Sequence, residues 1–216
     1  MPFFCSDADL LAWEPSVFLE TVFVHQSLLR EATVTLAGTA LTVSGASLVA
    51  AGVLPGMVAQ LTTADGSFTQ LAEIVSLESP TAATVSALRA RHSEPAIPPL
   101  TQGTLKLTII SFRPQIVATG AALLAHVGIT SEGDTTSPAY ADLAGFAPTC
   151  AFATLAALFR TLTENKHATN LTFTKHDFYA GLAQAARQTL AATIDQDGDG
   201  VPETRITAGS RAPVRE

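Results

Sequence analysis

The chain has 216 residues, of which 47 % are hydrophobic and only 14 % are charged, with a formal net charge of −7. A chain of this length forms one large domain or two small ones and can bury a hydrophobic core. Disorder as the dominant state is excluded, because disordered chains combine low hydrophobicity with high charge. No Lys or Arg occurs between Glu31 and Leu88, so this segment lacks the basic stripe of nucleic-acid-binding proteins.

A membrane location is not expected from the apolar stretches. A spanning helix needs about 20 apolar residues, whereas residues 41–61 are interrupted by Gly, Pro and Gln and residues 116–129 are too few. The first residues lack a basic region and an apolar core, so we expect no signal peptide. Cys5 and Cys150 are too few for a disulfide framework and predict free thiols in a reducing, intracellular compartment.

The first segment, residues 6–31, has helical spacing. Ser6 and Asp9 are placed to form a capping box, and Pro15 stands where a second helix can begin. Apolar residues at helical spacing continue this second helix to Leu29. The pattern therefore predicts helices before any strand.

Residues 33–112 have a β pattern, with short apolar stretches separated by turns. Pro55-Gly56 predicts a type II turn, and Asp65-Gly66 predicts a hairpin. Short strands at this spacing predict a small antiparallel barrel or sandwich.

Helical spacing returns at Arg113, where Pro114 suits a first helical turn. Two further helices are predicted, at residues 150–164 and 176–194, the second opened by a capping box of Thr174 and Asp177. A long polar loop, residues 130–148, precedes them.

The predicted fold class is α+β, with a helical bundle body and a small antiparallel β-barrel or sandwich module inserted between helices. Residues 1–32 and 113–203 form the predicted body, and residues 33–112 the inserted domain. Residues 204–216 form a C-terminal arm.

Residues 195–203, reading Asp-Gln-Asp-Gly-Asp-Gly-Val-Pro-Glu, carry the sharpest motif. Alternating aspartates before a glycine, then a backbone carbonyl and an acidic group, are typical of the start of a calcium loop. The candidate ligands are Asp195, Asp197, Asp199, Val201 and Glu203. Ile206 stands where an EF-hand loop has its bidentate Glu. The alternative is an Asp/Gly-rich helix end that binds no metal.

No catalytic motif is present, and we expect no enzyme and no catalytic residue. The five histidines lack metalloenzyme spacing, and there is no nucleophile elbow or phosphate loop. Cys150 begins a predicted helix, where the dipole can lower a thiol pKa, although a buried structural thiol is favoured. Trp13 is interpreted as a core aromatic residue, with an interface anchor as the alternative.

Four short stretches resemble the head-tail adaptors, or connectors, of tailed-bacteriophage necks. They are the opening Asp-Ala-Asp-Leu-Leu-Ala-Trp-Glu-Pro of residues 7–15, Gly-Val-Leu-Pro-Gly at 52–56, Phe-Arg-Pro at 112–114 and the aspartate-rich residues 194–200. The order of helices, β module and helices also matches these adaptors in outline.

The resemblance implies a structural virion protein, assembled in the host cytoplasm as a ring, usually of twelve copies. Such a ring joins the portal protein to a tail or stopper protein, and DNA passes through it without sequence-specific binding. The resemblance transfers no catalytic residue, and apart from calcium at residues 195–203 we expect no cofactor. Residues 130–148 and 204–216 suit contact arms, and the acidic β segment suits either an outer surface or a channel wall.

Two other functions stay open. The aspartate loop and the β segment suggest a calcium-binding adhesion or carbohydrate-binding module. An enzyme whose site is assembled from scattered residues is the third hypothesis.

Overall fold

The computed structural model describes residues 4–127, 140–142, 145–164, 169–194 and 204–207. It is an α+β structure that divides into two compact units. One unit spans Ser6–Phe112, and the other joins Met1–Cys5 to Arg113–Glu216.

The first unit contains a closed antiparallel barrel of six strands, in the order β1-β2-β5-β4-β3-β6. The strands are β1 Ser27–Ala37, β2 Ala40–Val43, β3 Val58–Thr63, β4 Thr69–Ser79, β5 Ala82–Ser86 and β6 Gly103–Ile110. Pairing of β1 with β6 closes the barrel, from Ser27 opposite Ile110 to Leu36 opposite Gly103. Closure leaves no unpaired strand edge.

The barrel core follows from the alternation of side chains along each strand. On β1, Val34 and Leu36 are buried, whereas the alternating residues Thr33 and Thr35 are exposed. The same core includes side chains from the other five strands, among them Leu41, Leu61, Ile74, Val85 and Leu107.

Both predicted turns are present. Gly56 has φ +82°, as the third position of a type II turn requires, and its carbonyl accepts the Ala8 N–H at 2.9 Å. Gly66 has φ +73° and lies between β3 and β4. Hydrogen bonds from Thr63 and Ser67 lower the pKa of Asp65 to about 2, so this hairpin carries a permanent negative charge.

The helical prediction for residues 6–31 is correct only at its start. Helix α1 spans Asp7–Trp13, and the Ser6–Asp9 capping box is confirmed. The predicted second helix is wrong, because two short 3₁₀ segments, Pro15–Leu19 and Thr21–Gln26, lead directly into β1.

Packing on Phe112 explains this difference. Phe18 and Phe23 are both buried, and each ring centroid lies 5.1 Å from that of Phe112. Extended backbone at Glu20 interrupts the helical segment between them. Phe18 and Phe23 are five residues apart, and in a continuous α-helix this separation would point the two rings about 140° apart, away from a shared contact.

The second unit contains helices α2 Arg113–His126, α3 Phe146–Glu164 and α4 Asn170–Gln188, together with a three-stranded antiparallel sheet. The sheet has the order β7-β8-β9, where β7 is Tyr140–Asp142, β8 is Ala191–Ile194 and β9 is Thr204–Thr207. Helix α3 packs against both α2 and α4. It is the most buried helix, with Phe146, Cys150, Leu155, Leu158 and Phe159 all enclosed.

The fold-class prediction is wrong in its helical bundle body. Strands dominate the first half of the chain from Ser27 onward, and the predicted last helix ends early. Its residues 191–194 pair with β7 and β9 instead. The capping box lies at Thr169 and Thr172, not at Thr174 and Asp177, so α4 starts and ends earlier than predicted.

The Gly56 turn tests the link between the barrel and α1. A Cβ at Gly56 would lie 3.0 Å from the Ser6 Cβ, the residue that caps α1, whereas one at Gly45 (φ +75°) meets nothing within 4 Å. Positive φ alone costs an alanine about 1–2 kcal/mol. We expect Gly56→Ala to lower the free energy of unfolding by about 2 kcal/mol or more and Gly45→Ala by about 1 kcal/mol. Urea denaturation measures both, and equal losses would contradict the contact.

Candidate interaction surfaces

Helix α4 has one buried side and exposes several large apolar side chains on the others. Tyr179 and Ala183 are buried, and the Tyr179 ring is stacked on Phe159 of α3, with centroids 5.8 Å apart. By contrast Leu171, Phe173 and Phe178 are 62 %, 51 % and 58 % exposed. Large side chains of this kind are common anchors of protein interfaces.

Leu171, Lys175 and Phe178 share one side of α4, because they are spaced by four and three residues. We call these three residues the α4 face. The Phe178 and Tyr179 rings form a T-shaped pair with centroids 5.2 Å apart. The Lys175 Nζ lies over the Phe159 ring, 5.3 Å from its centroid. Gly181, the next residue along this side, faces open space, since a Cβ there would meet nothing within 4 Å.

A pocket of about 180 Å³ opens on the outside of the barrel unit, beside β1. Its lining is mixed, with three apolar residues, three charged residues and three uncharged polar residues: Leu19, Val24 and Ile110; Glu20, Arg30 and Glu31; and Thr21, Gln60 and Thr108. Leu19 and Val24 are 53 % and 38 % exposed. We call it the β1 pocket.

A β-bulge shapes the β1 pocket. The register of β1 with β6 shifts between Leu29 and Ala32, and Glu31 within the shift has φ +49°. Its N–H donates to Thr108 Oγ1 on β6 at 3.2 Å. Bulges redirect side chains, and a strained non-glycine residue costs about 1–3 kcal/mol, so the surrounding contacts hold this geometry in place.

The β3–β4 and β5–β6 connections expose four further large apolar side chains, Phe68, Leu88, Ile97 and Leu100. We call these four the barrel loop residues. Leu100 is 87 % exposed, yet its N–H donates to Gln70 Oε1 at 3.0 Å. Gln102 donates to the carbonyls of Pro99 and Gly38. These amides hold the β5–β6 connection across the strand ends.

The same connection is anchored by a buried ion pair. Arg89 and Glu73 of β4 are salt-bridged, with side chains only 5 % and 3 % exposed. The Arg89 guanidinium also donates to the carbonyls of His92 and Glu94, at 2.8 and 2.6 Å. The pair therefore fixes residues 89–94 against the barrel wall.

His92 extends this network to α1. Its Nε2 lies 3.1 Å from Asp9 Oδ1 and its Nδ1 lies 3.4 Å from Glu73 Oε1. Partial burial acts to lower the pKa of His92, but hydrogen bonds and charge interactions with Asp9 and Glu73 outweigh it and raise this pKa. The capping carboxylate of α1 is thus linked to the barrel through a titratable group.

The predicted calcium ligands Asp195, Asp197, Asp199, Val201 and Glu203 lie outside the described residues, and the calcium site stays a prediction. Within the part of the chain that the structure describes, no three His, Cys, Asp or Glu side chains are grouped to hold a metal ion. The predicted C-terminal arm, residues 204–216, begins with strand β9. Its other residues, 208–216, lie outside the described residues.

Two interpretations of single residues can be compared with the structure. Cys150 is buried, and its Sγ lies 3.7 Å from the Ile116 carbonyl oxygen, which confirms a structural thiol. It does not begin α3, which starts at Phe146. The core interpretation of Trp13 is wrong, since this side chain is 52 % exposed.

Helix α3 lies outside the two apolar stretches, residues 41–61 and 116–129, that the sequence offers as candidate membrane spans. Among the described residues it is the one helix long and apolar enough to cross a membrane, and 61 % of its apolar window is buried inside the structure. The core helix of a globular unit has these same properties.

Comparison of the chain with models of protein families, with curated proteins and with solved structures finds no match. The interaction surfaces are therefore interpreted from their own geometry.

Sequence reasoning did not find the Arg89–Glu73 pair or the β1 pocket. Arg89 is the first basic residue after residues 31–88, which contain no Lys or Arg, and this position in the sequence was the one signal for the ion pair. No sequence signal marked the pocket, because it depends on the register of the strands.

Breaking the buried ion pair is expected to destabilise the barrel unit strongly. Removing one partner leaves an uncompensated buried charge, so Arg89→Ala should lower the free energy of unfolding by about 3–5 kcal/mol. Arg160→Ala, which removes an exposed pair with Glu164 at 2.8 Å, should cost about 0.5 kcal/mol or less. Chemical denaturation of both variants tests this, and similar losses would contradict it.

The His92 link predicts a pH dependence. Since its pKa is raised in the folded state, its contribution to stability is fully present below the unfolded pKa of about 6.5 and is lost as pH rises through the folded value. His92→Gln should therefore lower the melting temperature more at acidic than at alkaline pH. A difference from wild type that does not change with pH would refute this.

Proposed function

We propose that the chain is a structural head-tail adaptor of a tailed-bacteriophage neck. Copies of the chain form a ring that joins the portal to a tail or stopper protein. DNA passes through this ring without sequence-specific binding, and the protein acts in the virion after assembly in the host cytoplasm.

The observation that carries this proposal is the exposure of large apolar side chains on both units of one chain. They lie on the α4 face, at the barrel loop residues and beside the β1 pocket. Exposed apolar patches on a folded protein are typical of interaction sites. A protein that touches copies of itself and neighbours above and below needs several such surfaces, which suits a ring within a stack.

The charge distribution supports the same proposal. From Glu31 to Leu88 the chain carries four acidic and no basic residues, so this segment offers no cationic group to a phosphate backbone. Such a surface is compatible with a DNA channel or with an outer wall.

The proposal is tested with the purified full chain. Light scattering coupled to chromatography should show a concentration-dependent assembly of many copies, and electron microscopy should show closed rings. Assembly should weaken little with salt, because apolar contacts are not screened. A chain that stays monomeric at high concentration would contradict the proposal.

A further inference from the structure

We infer that α4 of one copy docks in the β1 pocket of the next copy, with Phe178 as the inserted side chain. This inference rests on the proposed function and names the contact between neighbouring copies. It is a head-to-tail contact, because the two surfaces are different, and such contacts generate rings when the rotation closes.

The size of the pocket fits the side chain. A cavity of about 150 Å³ lined by apolar residues accepts a benzene molecule, and the β1 pocket has about 180 Å³. Leu19 and Val24 provide exposed apolar contacts at its rim. Phe178 is exposed but held against Tyr179, so little rotamer freedom is lost when it is inserted.

The charges also fit. The pocket has two carboxylates, Glu20 and Glu31, and one guanidinium, Arg30, which leaves an excess negative charge. The α4 face has the opposite sign, since Lys175 is the one charged residue among the three that form it. Lys175 lies on the same side of α4 as Phe178, so docking brings a positive group to the acidic rim. Complementary charge at a rim favours the correct partner and orientation.

A matched pair of substitutions on α4 separates this contact from general apolar adhesion. Phe173 and Phe178 are the same residue type on the same helix, with similar exposures of 51 % and 58 %, but they point about 140° apart. Phe178→Ala should weaken assembly about tenfold or more, as expected for an interface anchor. Phe173→Ala should leave it unchanged. Equal effects of the two substitutions would overturn the inference.

A mixing experiment tests the pairing of the two surfaces. Gly181→Trp blocks the α4 side, where a side chain meets open space within the chain, and Val24→Arg blocks the exposed pocket rim. Circular dichroism should show that both full-length variants are folded. Each should be monomeric alone, whereas an equimolar mixture should form a dimer of one copy of each variant and nothing larger.

Other outcomes are informative. If Val24→Arg still assembles while Gly181→Trp does not, α4 contacts another surface and the inference fails. If both variants form the wild-type assembly, the inference fails but the proposed function stands. If the wild-type chain is monomeric, the proposed function itself fails.

Discussion

Closure of the barrel by β1 and β6 is the constraint on which the first unit depends. These strands are joined over almost the whole length of β1, although about 70 residues separate them in the chain. The pairing draws residues from Ser27 onward into a strand and so ends the helical N-terminal segment. It also brings Phe112 to α1, where its N–H donates to the buried Asp7 Oδ1 at 2.8 Å. The chain therefore enters and leaves the barrel at the same end.

The β5–β6 connection is held on the barrel by polar groups near both of its ends. Glu73 and Arg89 are buried as a pair, and their desolvation is offset by mutual charge and by the carbonyls that Arg89 binds. Gln70 accepts a hydrogen bond from the Leu100 N–H, and Gln102 donates one to the Pro99 carbonyl. Because these bonds fix the backbone, the side chain of Leu100 can stay exposed on a rigid support, as an interface anchor requires.

The low charge content has a structural explanation in these surfaces. The barrel and α3 account for many apolar residues as core, but thirteen large hydrophobic side chains are exposed within the part of the chain that the structure describes. They lie on both units, and several are held in place by neighbouring rings or backbone hydrogen bonds. A chain with few charged groups and such surfaces is suited to assembly, where burial against other chains removes apolar area from water.

Local patterns were read correctly from the sequence where neighbours in the chain decide the structure. The Ser6–Asp9 capping box, the Gly56 and Gly66 turns and the start of α2 at Arg113 all depend on contacts within a few residues. The start of α4 was missed, because Thr174 and Asp177, with an acidic third residue, match the usual capping box better than Thr169 and Thr172 do. The strand Ala191–Ile194 was missed because its partners, β7 and β9, are distant in the chain.

Local sequence specifies the turns, the α1 cap, the β character of the middle segment and the shortage of charge. Tertiary pairing was needed to show that β1 closes a barrel, that Glu31 lies in a bulge beside a pocket and that Phe178 and Trp13 remain exposed. The physical reason is that register and exposure depend on which distant segments pair, and a periodic pattern does not name the partner.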